Sequence, residues 1–183
     1  TRHGPDPERR SQKRSDAIHR AATRMNRLIQ DLLDVAVMES GQLTIEPAQL
    51  AARDLIVGAV DMQRPLASSS SLELRVDVDR DLPDIWGDRD RLLQVFENLI
   101  GNAIKFTKTG GCITVGAASR DHEVIFRVAD TGSGIAPENL QRLFAHGFTT
   151  RAKGHGFGLH SSAVAAMEMG GRLSAHSDGP GLG

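Results

Sequence analysis

The spacing of apolar and polar positions changes several times along the chain, and each spacing predicts a type of element. Between Ser15 and Ser40, apolar side chains recur at alternating intervals of three and four residues, which predicts a helix with a heptad seam. The seam positions are Ile18, Ala21, Met25, Leu28, Leu32 and Val35. One helix cannot bury such a stripe alone, so we expect this segment to pack against partner helices.

The middle of the chain has the pattern of a small α+β domain. A short extended run at Leu43–Ile45 precedes a helix that is predicted over 51–64. Strict alternation of apolar and charged residues predicts a half-buried strand over 72–78. The next helix is predicted from its capping residue Asp88 to about Phe106.

The second half of the chain predicts a hairpin, a long loop, and one more helix and strand. The strands Cys112–Ser119 and Glu123–Asp130 are joined by a short turn, so they should pair antiparallel. Residues 131–158 are rich in Gly, Thr and Ser and have little periodicity. A last helix is predicted over 159–169 and a last strand over 172–176. The whole pattern predicts an α+β sandwich with helices on one face of a mostly antiparallel sheet.

Composition narrows the classes of function. Of the 183 residues, 39% are hydrophobic and 25% are charged, so the chain can bury a core. The 22 Lys and Arg against 23 Asp and Glu give a net charge of -1, which argues against a general nucleic-acid or anionic-membrane binder. The single cysteine excludes an internal disulfide framework. No apolar run approaches the roughly 20 residues of a membrane-spanning helix.

A polar stripe runs along the helix that begins after Asp88. Asn98, Asn102 and Lys105 lie opposite its apolar face, and a solvated helix surface would explain them. Asn is a poor helix former, however, and its amide oxygen is a hard ligand that suits Mg²⁺. A lysine beside such a ligand suits phosphate. The stripe is therefore a candidate binding surface.

Two glycine-rich stretches are the other candidates for chemistry. Asp130–Ile135 follows a strand directly and is either an ordinary turn or a site whose carboxylate accepts from an exocyclic amine such as that of adenine. Gly154–Leu159 leads into a helix, so it is either a flexible linker or an anion site built from backbone N–H groups and the positive helix end. It is not a Walker A loop, because no Gly-Lys-Ser/Thr ends it, and a long loop precedes it, unlike a Rossmann loop.

In this order, the stretches resemble the Bergerat-fold (GHKL) ATPases shared by sensor histidine kinases, gyrase, Hsp90 and MutL. The resemblance covers about 42–183 and implies an α/β sandwich with helices on one face of a mixed, mostly antiparallel sheet. The stretches that resemble the N, G1, F, G2 and G3 boxes of that family are, respectively, Glu97–Phe106, Asp130–Ile135, Phe144–Phe148, Gly154–Leu159 and Ser177–Gly183.

The N-terminal helix selects among these relatives. Arg24–Asp34, followed by Glu39–Gly41, resembles the second helix of the dimerisation and phosphotransfer domain of bacterial sensor kinases. That family also needs an acceptor histidine on the first helix, in a motif similar to His-Glu-Leu-Arg-x-Pro-Leu, and this sequence contains no such motif. His19 fits a solvated surface histidine better than an acceptor. We therefore expect 1–41 to be a fragment of that domain and 42–183 to be the catalytic domain, truncated at its final strand.

For the helix, the resemblance implies ATP as the ligand and Mg²⁺ as its cofactor. Asn102 would coordinate Mg²⁺, with Asn98 and Lys105 near the phosphates and Phe106 near the base or ribose. In hydrolytic relatives a Glu aligned with Asn98 activates water, and its absence here suits a kinase. Glu97 points roughly 100° away around the helix and is not assigned as a base. No catalytic residue is assigned within the chain, since the acceptor histidine would lie outside it.

For the two glycine-rich stretches, the resemblance implies a base site and a lid. Asp130 would bind the adenine amine, Gly132 and Gly134 would let the base approach, and Ile135 belongs to the same box. Arg151 or Lys153 would reach the γ-phosphate. The residues of the lid and the following helix start that are expected at ATP are Thr150, Arg151, Lys153, Gly154, His155, Gly156, Phe157, Gly158 and Leu159.

The function implied by the resemblance is the catalytic part of a bacterial two-component sensor histidine kinase. It would transfer the γ-phosphoryl group of Mg-ATP to a histidine outside this chain, which would pass it to a response regulator receiver domain. The full-length protein would form a homodimer through the helix bundle, in the cytoplasm, with a membrane only through parts not present here. Two alternatives stay open: a serine-kinase anti-sigma factor, which the heptad helix disfavours, and a module that senses ATP only as an effector.

Overall fold

A computed structural model of the chain describes Met25, residues 44–150 and residues 156–183. The chain divides into two compact units, Thr1–Leu43 and Thr44–Gly183. Apart from Met25, which is helical, the predicted heptad helix and His19 lie outside the described residues. That helix and the identity of the first unit therefore remain predictions.

The second unit contains alternating helices and strands. Its described helices are α1 (Ala52–Ser69), α2 (Arg89–Phe106), α3 (Pro137–Leu140) and α4 (Gly158–Glu168). Its described strands are β1 (Ala48–Leu50), β2 (Glu73–Val78), β3 (Ile85–Gly87), β4 (Cys112–Arg120) and β5 (Glu123–Asp130). Across the described ranges, no helix has both the length and the apolarity that crossing a membrane requires.

The main sheet is mixed, as predicted. Its strand order is β2-β4-β5, with β2 parallel and β5 antiparallel to β4. The hairpin between β4 and β5 turns through Asp121 and His122, whose φ angles of 48° and 69° are those that a tight hairpin turn requires. A separate antiparallel pair is formed by β1 and β3, which the sequence did not predict because three residues are too few to show an alternating pattern.

The core lies between α1, α2 and one face of the main sheet. Ile56 on α1, Ile100 on α2 and Ile113 on β4 are all 0% exposed. Phe96 of α2 meets Phe126 of β5 edge to face, with ring centroids 5.3 Å apart. Residues of β5 alternate between exposed and half-buried, so its other face is open to solvent. This arrangement confirms the predicted sandwich and fixes α2 with its polar stripe away from the core.

The start of α2 is held by Asp88, which is the predicted cap. Its Oδ1 accepts hydrogen bonds from the backbone N–H groups of Asp90 and Arg91, at 3.0 and 3.1 Å. Its Oδ2 accepts from Glu46 N at 3.0 Å. Partial burial by itself raises the pKa of the Asp88 carboxyl, but these backbone donors outweigh it and hold the pKa below its usual value.

The strand predicted over 172–176 is wrong. Residues 171–177 have no regular secondary structure, and all of 172–176 is exposed except the half-buried Leu173. Alternation alone does not make a strand, because its backbone groups also need a neighbouring strand as hydrogen-bond partner. Within the described residues, no strand pairs with this segment, and the second edge of β5 stays unpaired.

Candidate functional site

The polar stripe of α2 forms one side of the candidate site. Asn98, Asn102 and Lys105 form this stripe, and Phe106 follows it, all within roughly 100° of one another around the helix axis. The first two are half-buried and the last two are exposed. Asn98 and Phe106 are roughly 12 Å apart along the axis, given a rise of about 1.5 Å per residue. The stripe predicted from the sequence is therefore a continuous surface rather than a set of scattered positions.

Asn98 joins this stripe to the start of α4. Its Nδ2 donates to Gly158 O at 3.2 Å and to Ser162 Oγ at 3.1 Å. Ser162 Oγ in turn donates to the same Gly158 O at 2.7 Å. Gly158 thus lies directly against α2, and no sequence pattern indicated this pairing.

Asp130 is fixed at the end of β5 by the end of α2. Its Oδ1 accepts from Gly132 N at 2.9 Å and from Thr107 Oγ1 at 3.4 Å. Ser133 N donates to Phe106 O at 3.1 Å. Within the described ranges, the Asp130 Oδ2 accepts no hydrogen bond, so one carboxylate oxygen is held in place and the other is available.

The glycines of this turn are required by the protein's own packing. Gly134 has a φ of +62°, and a Cβ there would overlap the carbonyl oxygen of Gly179. Ile135 N donates to Ser177 Oγ at 2.9 Å. A Cβ on Gly132 would also overlap neighbouring atoms of the turn. Residues 177–183 therefore pack onto the turn after β5, which brings the first and last predicted glycine boxes together.

The glycine loop before α4 is described from Gly156 onward. Gly156 has a φ of +72°, and a Cβ there would overlap the backbone of Gly147, so the loop packs against the segment that resembles the F box. Thr150 is exposed. The other lid residues predicted at the phosphates lie outside the described residues; they are Arg151, Lys153, Gly154 and His155.

An aromatic cluster at the start of α4 was not predicted. The ring of His146 lies 5.1 Å from that of Phe157 and 5.3 Å from that of His160, measured between centroids. His160 Nδ1 lies 3.0 Å from Phe144 O, and it must be the donor because a carbonyl oxygen only accepts. Leu159 is half-buried beside it. The sequence analysis did not predict this cluster, because the periodicity of apolar residues carries no information about contacts between a loop and a helix.

Together these contacts place three predicted features along α2. The Asp130 carboxylate lies at the C-terminal end of α2, and the start of α4 lies against the middle of the helix at Asn98. Asn102 lies between them on the helix and makes no side-chain hydrogen bond within the described part of the chain. The described residues contain no cluster of three or more His, Cys, Asp or Glu side chains able to hold a metal. A hard cation here would therefore take an amide oxygen together with oxygens of its own ligand.

Comparison with known proteins agrees with this arrangement. Residues 87–182 match the family described as "Histidine kinase-, DNA gyrase B-, and HSP90-like ATPase". The adaptive-response sensory kinase SasA of Rippkaea orientalis is 35% identical over 162 residues, which are 84% of this chain and 41% of that protein. The histidine protein kinase DivJ of Caulobacter vibrioides is 33% identical over 168 residues, 89% of this chain and 28% of that protein.

A solved structure has a similar fold. The crystal structure of full-length ShkA in complex with AMPPNP superposes with a TM-score of 0.76 and 29% identity, over 92% of this chain and 35% of that chain. The chain spans less than half the length of these curated relatives, at 41% and 28%. The match over 87–182 takes in α2, the turn after β5 and the glycine loop before α4. This chain belongs to the histidine kinase-, DNA gyrase B- and HSP90-like ATPase family.

Proposed function

We propose that this chain is the ATP-binding catalytic part of a two-component sensor histidine kinase. The observation that carries the proposal is the Asp130 carboxylate, with one oxygen fixed by Gly132 N and Thr107 Oγ1 and the other available. The names of the relatives SasA and DivJ support a kinase. The AMPPNP bound to ShkA, a non-hydrolysable ATP analogue, supports ATP as the nucleotide.

The adenine end of ATP is assigned to the turn after β5. The Asp130 Oδ2 accepts a hydrogen bond from the adenine amine. Because an ionised carboxylate oxygen only accepts, the base must present a donor at this position. Gly132, Gly134 and Ile135 form the wall beside the base. Phe106, exposed at the end of α2, lies beside the base or the ribose.

The triphosphate is assigned to the stretch of α2 between Asn98 and Lys105 and to the start of α4. Asn102 fits Mg²⁺ because its half-buried amide oxygen is a hard ligand and it makes no hydrogen bond within the described ranges. When bound, Mg²⁺ neutralises charge on the phosphates, and phosphoryl transfer depends on such neutralisation and on positioning. The remaining residues assigned to ATP are Thr150, Arg151, Lys153, Gly154, His155, Gly156, Phe157, Gly158 and Leu159.

The γ-phosphoryl group would pass from ATP, which leaves as ADP, to a residue outside this chain. Its acceptor is a histidine outside the sequence, and a response regulator receiver domain receives it next. Residues 1–41 are assigned to the second helix of a dimerisation and phosphotransfer domain, through which the full-length protein forms a homodimer. The catalytic domain, 42–183, would work in the cytoplasm.

Titration calorimetry with ATP, with and without Mg²⁺, tests the binding half of the proposal. We expect saturable binding that weakens when Mg²⁺ is removed, and the absence of ATP binding would refute the proposal. Incubation with γ-labelled ATP tests the transfer half. No acid-labile label should form on this chain, whereas an added first-helix segment with an acceptor histidine should be labelled. ATP binding without any transfer would instead favour a nucleotide-sensing module.

A further inference from the structure

The side chain of Asn98 is turned toward α4 rather than toward open space. The atom that faces Gly158 O at 3.2 Å must be the amide nitrogen, because a carbonyl oxygen only accepts hydrogen bonds. The same nitrogen donates to Ser162 Oγ at 3.1 Å. Gly158 O and Ser162 Oγ are only 2.7 Å apart, so both accept on the same side of this nitrogen. The donor side of the amide is therefore directed at the first turn of α4.

The contact is close and shielded from water. Ser162 is 2% exposed, and its hydroxyl closes the triangle by donating to Gly158 O at 2.7 Å. A Cβ on Gly158 would come within 3.0 Å of Asn98 Oδ1, so glycine at this position lets the amide approach the helix backbone. Hydrogen bonds that exclude water hold their groups more firmly than exposed ones.

We propose that Asn98 is a positioning residue, which fixes the first turn of α4 on α2 through its amide nitrogen and so orients the start of α4 for the triphosphate. This inference rests on the proposed function, since it concerns how the phosphate site is held in shape. It differs from a direct role of Asn98, because the group that matters is the donor Nδ2 and not the oxygen that a cation or a phosphate-bound water would use.

Two substitutions separate the donor from the oxygen. Asn98→Ala removes both atoms, and Asn98→Asp keeps an oxygen of the same size while it replaces the donor with a second acceptor. That acceptor would face Gly158 O at the present 3.2 Å, which is repulsive. If the donor matters, both variants should hold the start of α4 less firmly and bind ATP more weakly. If the oxygen binds Mg²⁺ or its water, Asn98→Asp should bind Mg-ATP as well as the unaltered chain, or more tightly.

The neighbouring serines of α4 provide a matched control. Ser161 and Ser162 both donate to Gly158 O, at 3.1 and 2.7 Å, and both are buried. Only Ser162 accepts from Asn98. Asn98→Ala combined with Ser162→Ala should therefore be non-additive, whereas Asn98→Ala combined with Ser161→Ala should be additive.

Amide hydrogen exchange without nucleotide is the first measurement. We expect exchange at 161–165, the first amides of α4 with a backbone acceptor, to be faster by roughly tenfold in Asn98→Ala and Asn98→Asp, because the contact that holds this turn on α2 is lost, and to be little changed at α1. Unchanged exchange at 161–165 would overturn the proposal. Since no nucleotide is present, this measurement remains decisive even if the chain proves not to bind ATP.

Calorimetry with ATP and with adenosine is the second measurement. If the start of α4 is less firmly held, the conformation that binds the triphosphate is less populated, and affinity falls in proportion to that population. The affinity for ATP should therefore fall by about fivefold, whereas the affinity for adenosine should change by no more than about twofold. Equal losses for both ligands would indicate general destabilisation and would overturn a positioning role, as would wild-type affinity in Asn98→Asp. If the unaltered chain binds adenosine and ATP equally poorly, the proposed function fails rather than the contact.

Discussion

Replacing Asp130 with asparagine tests the assigned base site with a single-atom change. Gly132 N and Thr107 Oγ1 both donate to the Oδ1 of Asp130, so an acceptor must remain at that position. The new amide will therefore place its oxygen there and its nitrogen at the present Oδ2. The structure thus fixes the orientation of the substituted side chain, and the fold should be preserved.

The size of the effect follows from the groups that face each other. In the unaltered chain a carboxylate oxygen accepts from the adenine amine, and in the variant two donors oppose each other. Loss of a hydrogen bond to a charged group costs about 1.5–3 kcal/mol, which corresponds to roughly 10- to 150-fold weaker ATP binding. Inosine triphosphate carries an oxygen in place of that amine, so the new amide should instead donate to it.

Calorimetry with both nucleotides measures this exchange of preference. Asp130→Asn should bind ATP more weakly and inosine triphosphate more tightly than the unaltered chain does. Asp121→Asn is the control, because it makes the same chemical change in the turn at the opposite end of β4 and β5. Unchanged ATP affinity, or equal losses for both nucleotides, would refute the assignment of Asp130 to the base.

Three further predictions concern stability and local order. Gly134→Ala should lower the free energy of unfolding, measured in urea, by more than Gly110→Ala, because both have positive φ but only the former Cβ would overlap another backbone atom. Asp88→Ala should lower it by about 0.5–2 kcal/mol at neutral pH. Because the folded pKa of Asp88 is lowered, that contribution is complete above the unfolded value of about 3.9 and is lost as the pH falls through the folded one. Amides at 144–150 should exchange faster than those of α2 and gain protection with an ATP analogue, since no residue from 137 to 150 is buried.

Each of these predictions has a result that contradicts it. Equal losses in the two glycine variants would mean that the packing of 177–183 on the turn contributes nothing beyond backbone strain. A cost of Asp88→Ala that persists unchanged well below the pKa of an ordinary carboxyl would show that the ionised cap is not its source. Protection at 144–150 equal to that of α2 before nucleotide is added would refute an ordering of this segment by ATP.

Local chemistry in the sequence determined most of the elements around the site. The capping residue Asp88 and the 3.6-residue period predicted α2 to its last residue, because both signals act within one or two helical turns. The alternation in β4 and β5 and the short turn between them predicted the hairpin for the same reason. Asp130 at the strand end and the stripe from Asn98 to Lys105 were also visible as local patterns.

Tertiary structure alone decided which of these features meet. Asn98 and Gly158 are 60 residues apart, and no local rule pairs an amide with a particular distant carbonyl. Residues 177–183 lie on the turn after β5 because Gly134 leaves space for Gly179, which becomes visible only once both backbones are in place. The mistaken strand over 172–176 has the same cause: a side-chain period is a property of one segment, whereas the hydrogen bonds that make a strand depend on a second segment.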